Sequence, residues 1–161
     1  PVEDPDSYYT PAAAPDSRAI ATGTVGCVVL DQQARLAAAT STGGTLKKRW
    51  GRVGDSPIIG AGAWADERVA VSCTGQGEFF LRANAAADVS ARVRYAGSSL
   101  EDAVTGSLGD VARLGGEGGI IAVSADGSVS AQFNSEGMKR AILHADGRIE
   151  AGVRDVEAVA D

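Results

Sequence analysis

The sequence predicts an α+β fold in which helices lie against a pair of β-sheets. The first observation behind this prediction is the order of the elements, because apolar strand-like runs precede and follow one central pair of helical segments. Such segregation favours helices layered on sheets over alternating βαβ units. The second observation is the composition, with 21 glycines and 5 % aromatic residues among 161. It indicates many tight turns and a core of small aliphatic side chains.

The N-terminal segment, residues 1–22, is predicted to be a flexible linker. Four of the five prolines of the chain fall before residue 16, beside acidic residues and a run of alanines. This segment has too few large hydrophobic side chains to form a core of its own. Residues 23–161 are therefore expected to form one domain or part of one.

The first half of this domain is predicted to contain two pairs of strands. Residues 24–30 and 36–40 form the first pair, and residues 58–64 and 68–73 form the second. The runs are almost continuously apolar, which predicts strands that are covered on both faces.

Two helices and a second group of strands are predicted to follow. The helices span 78–95 and 99–113, with Ser98 or Ser99 as the N-cap of the second and a glycine cluster after it. Asp-Gly pairs at 126–127 and 146–147 are typical of hairpin turns. The strands predicted on either side of these turns cover residues 120–124, 129–133, 138–143 and 149–153.

Charge and hydropathy exclude several classes of partner. The net charge of −6 argues against nucleic acid, because neutralising phosphates requires a basic surface. No apolar run approaches the roughly 20 residues that span a bilayer, so no membrane partner is expected. The acidic, proline-rich start is unlike a signal peptide, and the expected location is the cytoplasm.

The cysteines and the single histidine limit the possible chemistry. Cys27 and Cys73 lie in separate apolar runs and are predicted to be buried free thiols. His144 is the only histidine, and its place before an Asp-Gly turn predicts an ordinary surface residue. A catalytic triad or a zinc site that uses a histidine would have to use this one.

Thr24 is a candidate nucleophile, because it follows Gly23 at the start of an apolar strand. A threonine in this place is more often structural, and its hydroxyl reacts poorly without a base. Cleavage between Gly23 and Thr24 would supply that base, because the new α-amine of Thr24 has a pKa near 8. From the residues alone, both interpretations remain open.

Three other polar groups allow a structural and a functional interpretation. Arg52 and Asp55 form either a mutual surface ion pair or two separate contacts to a charged ligand. The segment Gly75-Gln76-Gly77 is either a turn or an anion site before a helix. Residues 47–49, Lys-Lys-Arg, form either a solvated face or a basic rim on the leaving-group side of a pocket.

Four motifs occur in order along the domain: 23–31, which opens with Gly-Thr-Val-Gly, 40–44 (Thr-Ser-Thr-Gly-Gly), 51–57 (Gly-Arg-Val-Gly-Asp-Ser-Pro) and 72–78 (Ser-Cys-Thr-Gly-Gln-Gly-Glu). Together, from about Gly23 to about Gly152, they resemble the β subunit of the plant-type L-asparaginase/isoaspartyl peptidase (β-aspartyl-peptidase) family. These enzymes are N-terminal-nucleophile (Ntn) hydrolases. The resemblance implies that residues 23–161 are the β-subunit half of an αββα sandwich, and that residues 1–22 end the α subunit or the precursor linker.

The resemblance also implies the reacting groups. Thr24, released by autocatalytic cleavage of the Gly23–Thr24 bond, would attack the side-chain amide of L-asparagine or the β-peptide bond of an isoaspartyl dipeptide. Thr42 would support Thr24 by hydrogen bonding. Thr74 and the backbone N–H of Gly75 would stabilise the oxyanion.

For substrate binding, the resemblance implies that Arg52 holds the α-carboxylate, Asp55 holds the α-ammonium, and Gly77 shapes the ammonium side. No cofactor and no metal are implied at the site, although a structural Na⁺ or K⁺ is possible in the α subunit. The implied partner is an α subunit from the same precursor, in an (αβ)₂ heterotetramer.

Alternatives and departures accompany this resemblance. Glycosylasparaginases share much of the pattern, but Asn would be expected in place of Gly44. Threonine aspartase is a second relative, and a catalytically inert unprocessed fragment or binding module is a third possibility. Thr22 before the Gly-Thr pair and Trp50, where proline is expected, both depart from the family pattern.

Overall fold

A computed structural model describes residues 23–46 and 48–154, so the predicted linker at 1–22 lies outside the described residues. The described part is α+β, as predicted. Its elements, in order, are β1 (Thr24–Leu30), β2 (Leu36–Thr42), β3 (Ala63–Ala65), β4 (Val69–Gly75), α1 (Gly77–Ala83), α2 (Ala85–Ala96), α3 (Leu100–Arg113), β5 (Gly118–Ser124), β6 (Val129–Phe133), β7 (Arg140–Leu143) and β8 (Ile149–Gly152).

The strands form three antiparallel sheets, and two of them stack. The central sheet has the order β3-β4-β5-β6, and its helix-facing side packs against α1, α2 and α3. The β1–β2 hairpin covers the opposite side, while β7 and β8 form a separate hairpin. These layers, helix on sheet on sheet, agree with the β-subunit half of the expected αββα sandwich.

The core lies between the central sheet and the helices. Alternate residues of β4, Val69, Val71 and Cys73, point into it beside Ile120 and Ala122 of β5. The helices supply mainly alanine and valine, with Phe80 as the largest fully buried side chain. The predicted core of small aliphatic residues is therefore confirmed, and Cys73 is the buried thiol that was expected.

Small side chains allow the hairpin to approach the central sheet closely. A Cβ at Gly26 in β1 would lie 2.3 Å from the Oγ of Ser72 in β4. Thr40 of β2 shares a 2.7 Å hydrogen bond with the same Ser72 Oγ and donates to the carbonyl of Gly62 at 3.0 Å. These contacts fix the hairpin over β4, and therefore fix the position of Thr24 at its end.

The outer face of this hairpin corrects two predictions. Cys27 is exposed, not buried, and Val25 on the same face is 72 % exposed. β1 was expected to be covered on both faces, but only its even-numbered side faces the central sheet. The apolar run therefore belongs to a strand that no described residue covers on its outer face.

Residues 58–64 were predicted to be a strand, and most of that prediction is wrong. The segment forms tight turns in which the N–H groups of Ile58 and Ala61 donate to the carbonyls of Asp55 and Ile58. Gly60 has a φ of +94°, and its N–H donates to the carbonyl of Ala63. Only Ala63–Ala65 pairs with β4.

The predicted helix over 78–95 is two helices, α1 and α2. Asn84 separates them with a φ of +50°, a left-handed conformation that asparagine tolerates better than most residues. The Ala87 N–H donates to the carbonyl of Gly60 at 2.8 Å, which attaches the start of α2 to the preceding turns. The break therefore lets α2 contact the β3 edge of the sheet.

The third helix begins where the sequence predicted. Ser99 is its N-cap and accepts a hydrogen bond from the backbone N–H of Asp102 at 3.1 Å. Arg92 of α2 bridges Asp88 and Asp110 at 2.7 and 2.5 Å, which joins α2 to α3. In residues 23–46 and 48–154, no helix is long and apolar enough to cross a membrane.

Candidate active site

A pair of threonine hydroxyls lies at the open end of the β1–β2 hairpin. Thr24 begins β1 and Thr42 ends β2, and the antiparallel register places them directly opposite each other. Thr24 Oγ1 donates a hydrogen bond to Thr42 Oγ1 at 3.1 Å. The N–H of Gly44 also donates to Thr42 Oγ1, at 3.0 Å. The loop after β2 therefore orients the hydroxyl that contacts Thr24.

These two hydroxyls open onto a cleft that also contains most of the predicted substrate-binding residues. The cleft lies between the end of the hairpin, the loop at 51–57 and the end of β4. Its lining residues are Thr24, Thr42, Gly44, Thr45, Arg52, Gly54, Asp55, Ser56 and Gly75. Thr74 is not among them, and Gly77 lies behind Asp55.

Arg52 is paired with Glu78, a residue that the sequence analysis did not assign to the site. Arg52 Nε and Nη2 donate to the two Glu78 carboxylate oxygens at 2.7 and 3.0 Å. The hydrogen bond with Glu78 raises the pKa of Arg52, and it lowers the pKa of Glu78. The structural alternative of a mutual Arg52–Asp55 ion pair is therefore replaced by an Arg52–Glu78 pair.

The pairing leaves a second edge of the Arg52 guanidinium on the cleft side. A guanidinium has five N–H donors, and Glu78 uses the edge that contains Nε. Nη1 lies on the other edge, where a Cβ at Gly54 would approach it to 2.8 Å. The Arg52 side chain is only 17 % exposed, and its hydrogen bonds to Glu78 hold the guanidinium in one orientation. The second edge is therefore held in place as well.

Asp55 is a buried carboxylate with incomplete hydrogen bonding. It is 5 % exposed, and its Oδ2 has no hydrogen-bond partner among the residues that the structure describes. The hydroxyl of the neighbouring Ser56 is in the same condition. Burial raises the pKa of Asp55, although its own backbone N–H and that of Ser56 oppose this change. A buried carboxylate with one oxygen left without a donor is costly and suits a cationic ligand.

Gly77 is required behind Asp55 because there is no room for a side chain. A Cβ at Gly77 would lie 2.7 Å from Asp55 Oδ1 and 2.8 Å from the Asp55 nitrogen. Gly77 is the first residue of α1, so the start of this helix backs the carboxylate. Gly77 therefore fixes the position of Asp55, and its role on the ammonium side of a substrate stays a prediction.

Gly75 contributes backbone to the cleft at the end of β4. It has a φ of +138°, and a Cβ there would lie 2.4 Å from the carbonyl oxygen of Glu117. Gln76 and Glu117 exchange hydrogen bonds of 3.0 and 3.1 Å, which fixes the turn from β4 into α1. Asn134 accepts a hydrogen bond from the Gly118 N–H at 2.7 Å and so supports the neighbouring strand.

A second, more open cleft adjoins the first. The two share Gly44, Thr45 and Arg52. Lys48 projects over the loop between them, where its Nζ donates to the carbonyl of Gly43 at 2.5 Å. The other residues that line this second cleft are Gly23, Gly43, Leu46, Arg49, Trp50 and Gly51.

The class of fold that the stacked sheets and the cleft at the start of β1 agree with is the β half of an Ntn-hydrolase fold. The chain belongs to the asparaginase family, whose pattern matches residues 3–153. Within residues 23–46 and 48–154, no three His, Cys, Asp or Glu side chains lie close enough together to hold a metal ion.

Proteins of known sequence agree with this assignment. An isoaspartyl peptidase from Salmonella typhimurium is 54 % identical over 121 residues, which are 74 % of this chain and 39 % of that protein. A probable isoaspartyl peptidase/L-asparaginase 2 from Arabidopsis thaliana is 50 % identical over 131 residues, covering 81 % and 40 %. The isoaspartyl peptidase/L-asparaginase of Homo sapiens is 44 % identical over 133 residues, covering 81 % and 42 %. The chain thus spans about two fifths of the length of these relatives.

Proposed function

We propose that this chain is the catalytic β part of a self-processing hydrolase. Its substrates are the side-chain amide of L-asparagine and the β-peptide bond of isoaspartyl dipeptides. The names of the three relatives favour this activity over glycosylasparaginase, threonine aspartase or an inert fragment. The observation that carries the proposal is the partnerless Asp55 Oδ2 beside Arg52, in the same cleft as Thr24.

The head group of an amino acid complements this pair of charges. The α-ammonium of the substrate would donate to Asp55 Oδ2 and to Ser56 Oγ, the two buried atoms without partners. The α-carboxylate would accept two N–H groups from the edge of Arg52 that Glu78 does not use. Burial removes water as a hydrogen-bond donor to the Asp55 carboxylate, and the substrate ammonium would take its place. The ammonium would therefore favour the ionised form of Asp55.

Thr24 would perform the covalent step. Once the Gly23–Thr24 bond is cut, the Thr24 α-amine takes the hydroxyl proton while Oγ1 attacks the amide carbon. Collapse of the tetrahedral intermediate forms an ester to Thr24 and expels ammonia or an amino acid, which takes the proton. Water then hydrolyses the ester and releases aspartate. Thr42, held by the Gly44 N–H, keeps the nucleophile directed at the cleft.

The oxyanion would be stabilised at the end of β4. The Gly75 backbone already lines the cleft, and its N–H together with the Thr74 hydroxyl is the proposed donor pair. One such donor is typically worth about 3 kcal/mol in the transition state. Because the described Thr74 side chain does not line the cleft, this role requires its hydroxyl to turn toward the substrate.

The proposal includes an α part from the same precursor, assembled as an (αβ)₂ heterotetramer in the cytoplasm. The outer face of the β1–β2 hairpin is apolar and exposed, since Val25 and Val29 are 72 % and 46 % exposed there. This exposure favours a further segment that covers the face. The α part would add strands beside this hairpin. Any structural Na⁺ or K⁺ would belong to the α part, and the site itself would use no cofactor.

Aspartate release by the complete precursor tests the proposal. Wild-type protein is expected to hydrolyse L-asparagine and β-aspartyl dipeptides after self-cleavage, and Thr24→Ala is expected to do neither. Thr105→Ala in α3 is the matched control and should behave as wild type. Hydrolysis by Thr24→Ala, or a cleaved wild-type protein that releases no aspartate from either substrate, would contradict the proposal.

A further inference from the structure

The second cleft adjoins the cleft that holds Thr24. It shares Gly44, Thr45 and Arg52 with the cleft that holds Thr24, and Gly23 is part of its lining. Cleavage after Gly23 removes the peptide bond that joins this residue to the nucleophile. A substrate whose head group contacts Arg52 and Asp55 can therefore extend past Thr24 into the second cleft.

Lys48 supplies a positive charge at the boundary between the two clefts. Its ammonium donates to the Gly43 carbonyl at 2.5 Å, and a Cβ at Gly44 would lie 2.9 Å from Nζ. Gly43 directly follows Thr42 in the sequence, and the next residue, Gly44, donates its N–H to the Thr42 hydroxyl. The Lys48 ammonium therefore contacts the residue next to the Thr24–Thr42 hydroxyl pair. An ammonium has three donors, and the Gly43 carbonyl uses one of them.

An apolar surface lies beyond this charge. Leu46 and Trp50 both line the second cleft and are 72 % and 86 % exposed. A large indole at the rim of a cleft gives a broad contact area for an apolar side chain. The chain as a whole carries a net charge of −6, so the positive charge of Lys48 is a local feature against an acidic background.

We propose that the second cleft is a leaving-residue subsite specific for β-aspartyl dipeptides. Lys48 binds the α-carboxylate of the departing amino acid, and Leu46 and Trp50 contact its side chain. L-asparagine releases ammonia, which has neither group, so the subsite favours dipeptides with an apolar second residue over L-asparagine. This inference rests on the proposed function and adds the substrate preference of the same site.

The test compares two substrates in the self-cleaved complete precursor. Lys48→Met removes the charge at similar length and is expected to lower the ratio of kcat/KM for β-aspartyl-leucine to that for L-asparagine about tenfold, the equivalent of one charge-assisted hydrogen bond. The loss should appear mainly as a higher KM for the dipeptide. Lys48→Arg keeps the positive charge and should retain most of the wild-type ratio of the two kcat/KM values. Lys139→Met makes the same change at an exposed residue outside both clefts and is the control.

A second comparison isolates the apolar part of the subsite. Trp50→Ala is expected to lower the preference for β-aspartyl-leucine over β-aspartyl-glycine about fivefold, because the glycine dipeptide has no side chain to contact the indole. Unchanged ratios in Lys48→Met and Trp50→Ala, with both substrate types still hydrolysed, would overturn the subsite. If wild-type protein hydrolyses neither type, the proposed function fails instead.

Discussion

Gly77 provides a sharp test of the site, because a single methyl group there pushes on Asp55 without removing any functional group. In Gly77→Ala the new Cβ would lie 2.7 Å from Asp55 Oδ1 and 2.8 Å from the Asp55 nitrogen. Ordinary contacts begin near 3.4 Å, so the carboxylate and its backbone must move by about 0.7 Å. Overpacking of this kind costs about 1–3 kcal/mol of stability.

The effect on catalysis should exceed the effect on stability. A displacement near 1 Å in a substrate-positioning group can cost on the order of 100-fold in rate. We therefore expect kcat/KM of the self-cleaved Gly77→Ala precursor for L-asparagine to fall about 30- to 100-fold. Cleavage of the Gly23–Thr24 bond should continue, because the precursor presents no free ammonium to Asp55.

Steady-state aspartate release and thermal unfolding, measured on the same preparation, separate the two effects. Gly109→Ala in α3 is the control, since a Cβ there meets no atom within 4 Å and a helical alanine should stabilise the protein by about 0.5–1 kcal/mol. A folded, self-cleaved Gly77→Ala protein with the wild-type kcat/KM would refute the role of Asp55 in holding the substrate.

Three further substitutions test other contacts. Arg52→Lys keeps the charge but loses the two-edged guanidinium, so kcat/KM for L-asparagine should fall about 100-fold with self-cleavage spared; a wild-type kinetic profile would count against carboxylate binding. Asp55→Asn should abolish turnover and raise Tm at pH 7. Burial raises the pKa of Asp55 above its ordinary value of 3.8, so the unliganded wild-type protein loses stability as pH rises above that value. The Tm gain of Asp55→Asn should therefore vanish near pH 4. A lower Tm at pH 7 would contradict this. Ser99→Ala removes the cap of α3 and should lower the free energy of unfolding by about 1 kcal/mol, measured by denaturant titration, with kcat/KM unchanged.

The parts of the fold that the sequence predicted are those with local signals. β1 and β6 have the predicted bounds, and glycines with positive φ at Gly127 and Gly147 form the predicted Asp-Gly turns. Residues 58–64 were mispredicted because an apolar run can have the same composition in a turn as in a strand. Asn84 was missed because one left-handed residue interrupts a helix without glycine or proline.

The site was predictable to the extent that it depends on motif and strand register. The register of the predicted hairpin places Thr24 opposite Thr42, although β2 continues two residues past the predicted 36–40 to reach it. The pairing of Arg52 with Glu78 joins side chains 26 residues apart, and nothing in the local sequence specifies it. Cys27 was misplaced because hydropathy alone does not show which face of a strand is covered by the rest of the chain.

The central claim is that Thr24 becomes an N-terminal nucleophile, and intact-mass measurement combined with N-terminal sequencing of the purified precursor tests it most directly. The account predicts a β chain that begins with Thr24 in wild-type protein, and an uncut precursor in Thr24→Ala. It also predicts that the Thr24→Ala precursor stays uncut after prolonged incubation, because the substitution removes the hydroxyl next to the Gly23–Thr24 bond that contacts Thr42. Cleavage of Thr24→Ala at the same bond, or aspartate release by wild-type protein in which Gly23 remains attached to Thr24, would contradict the account.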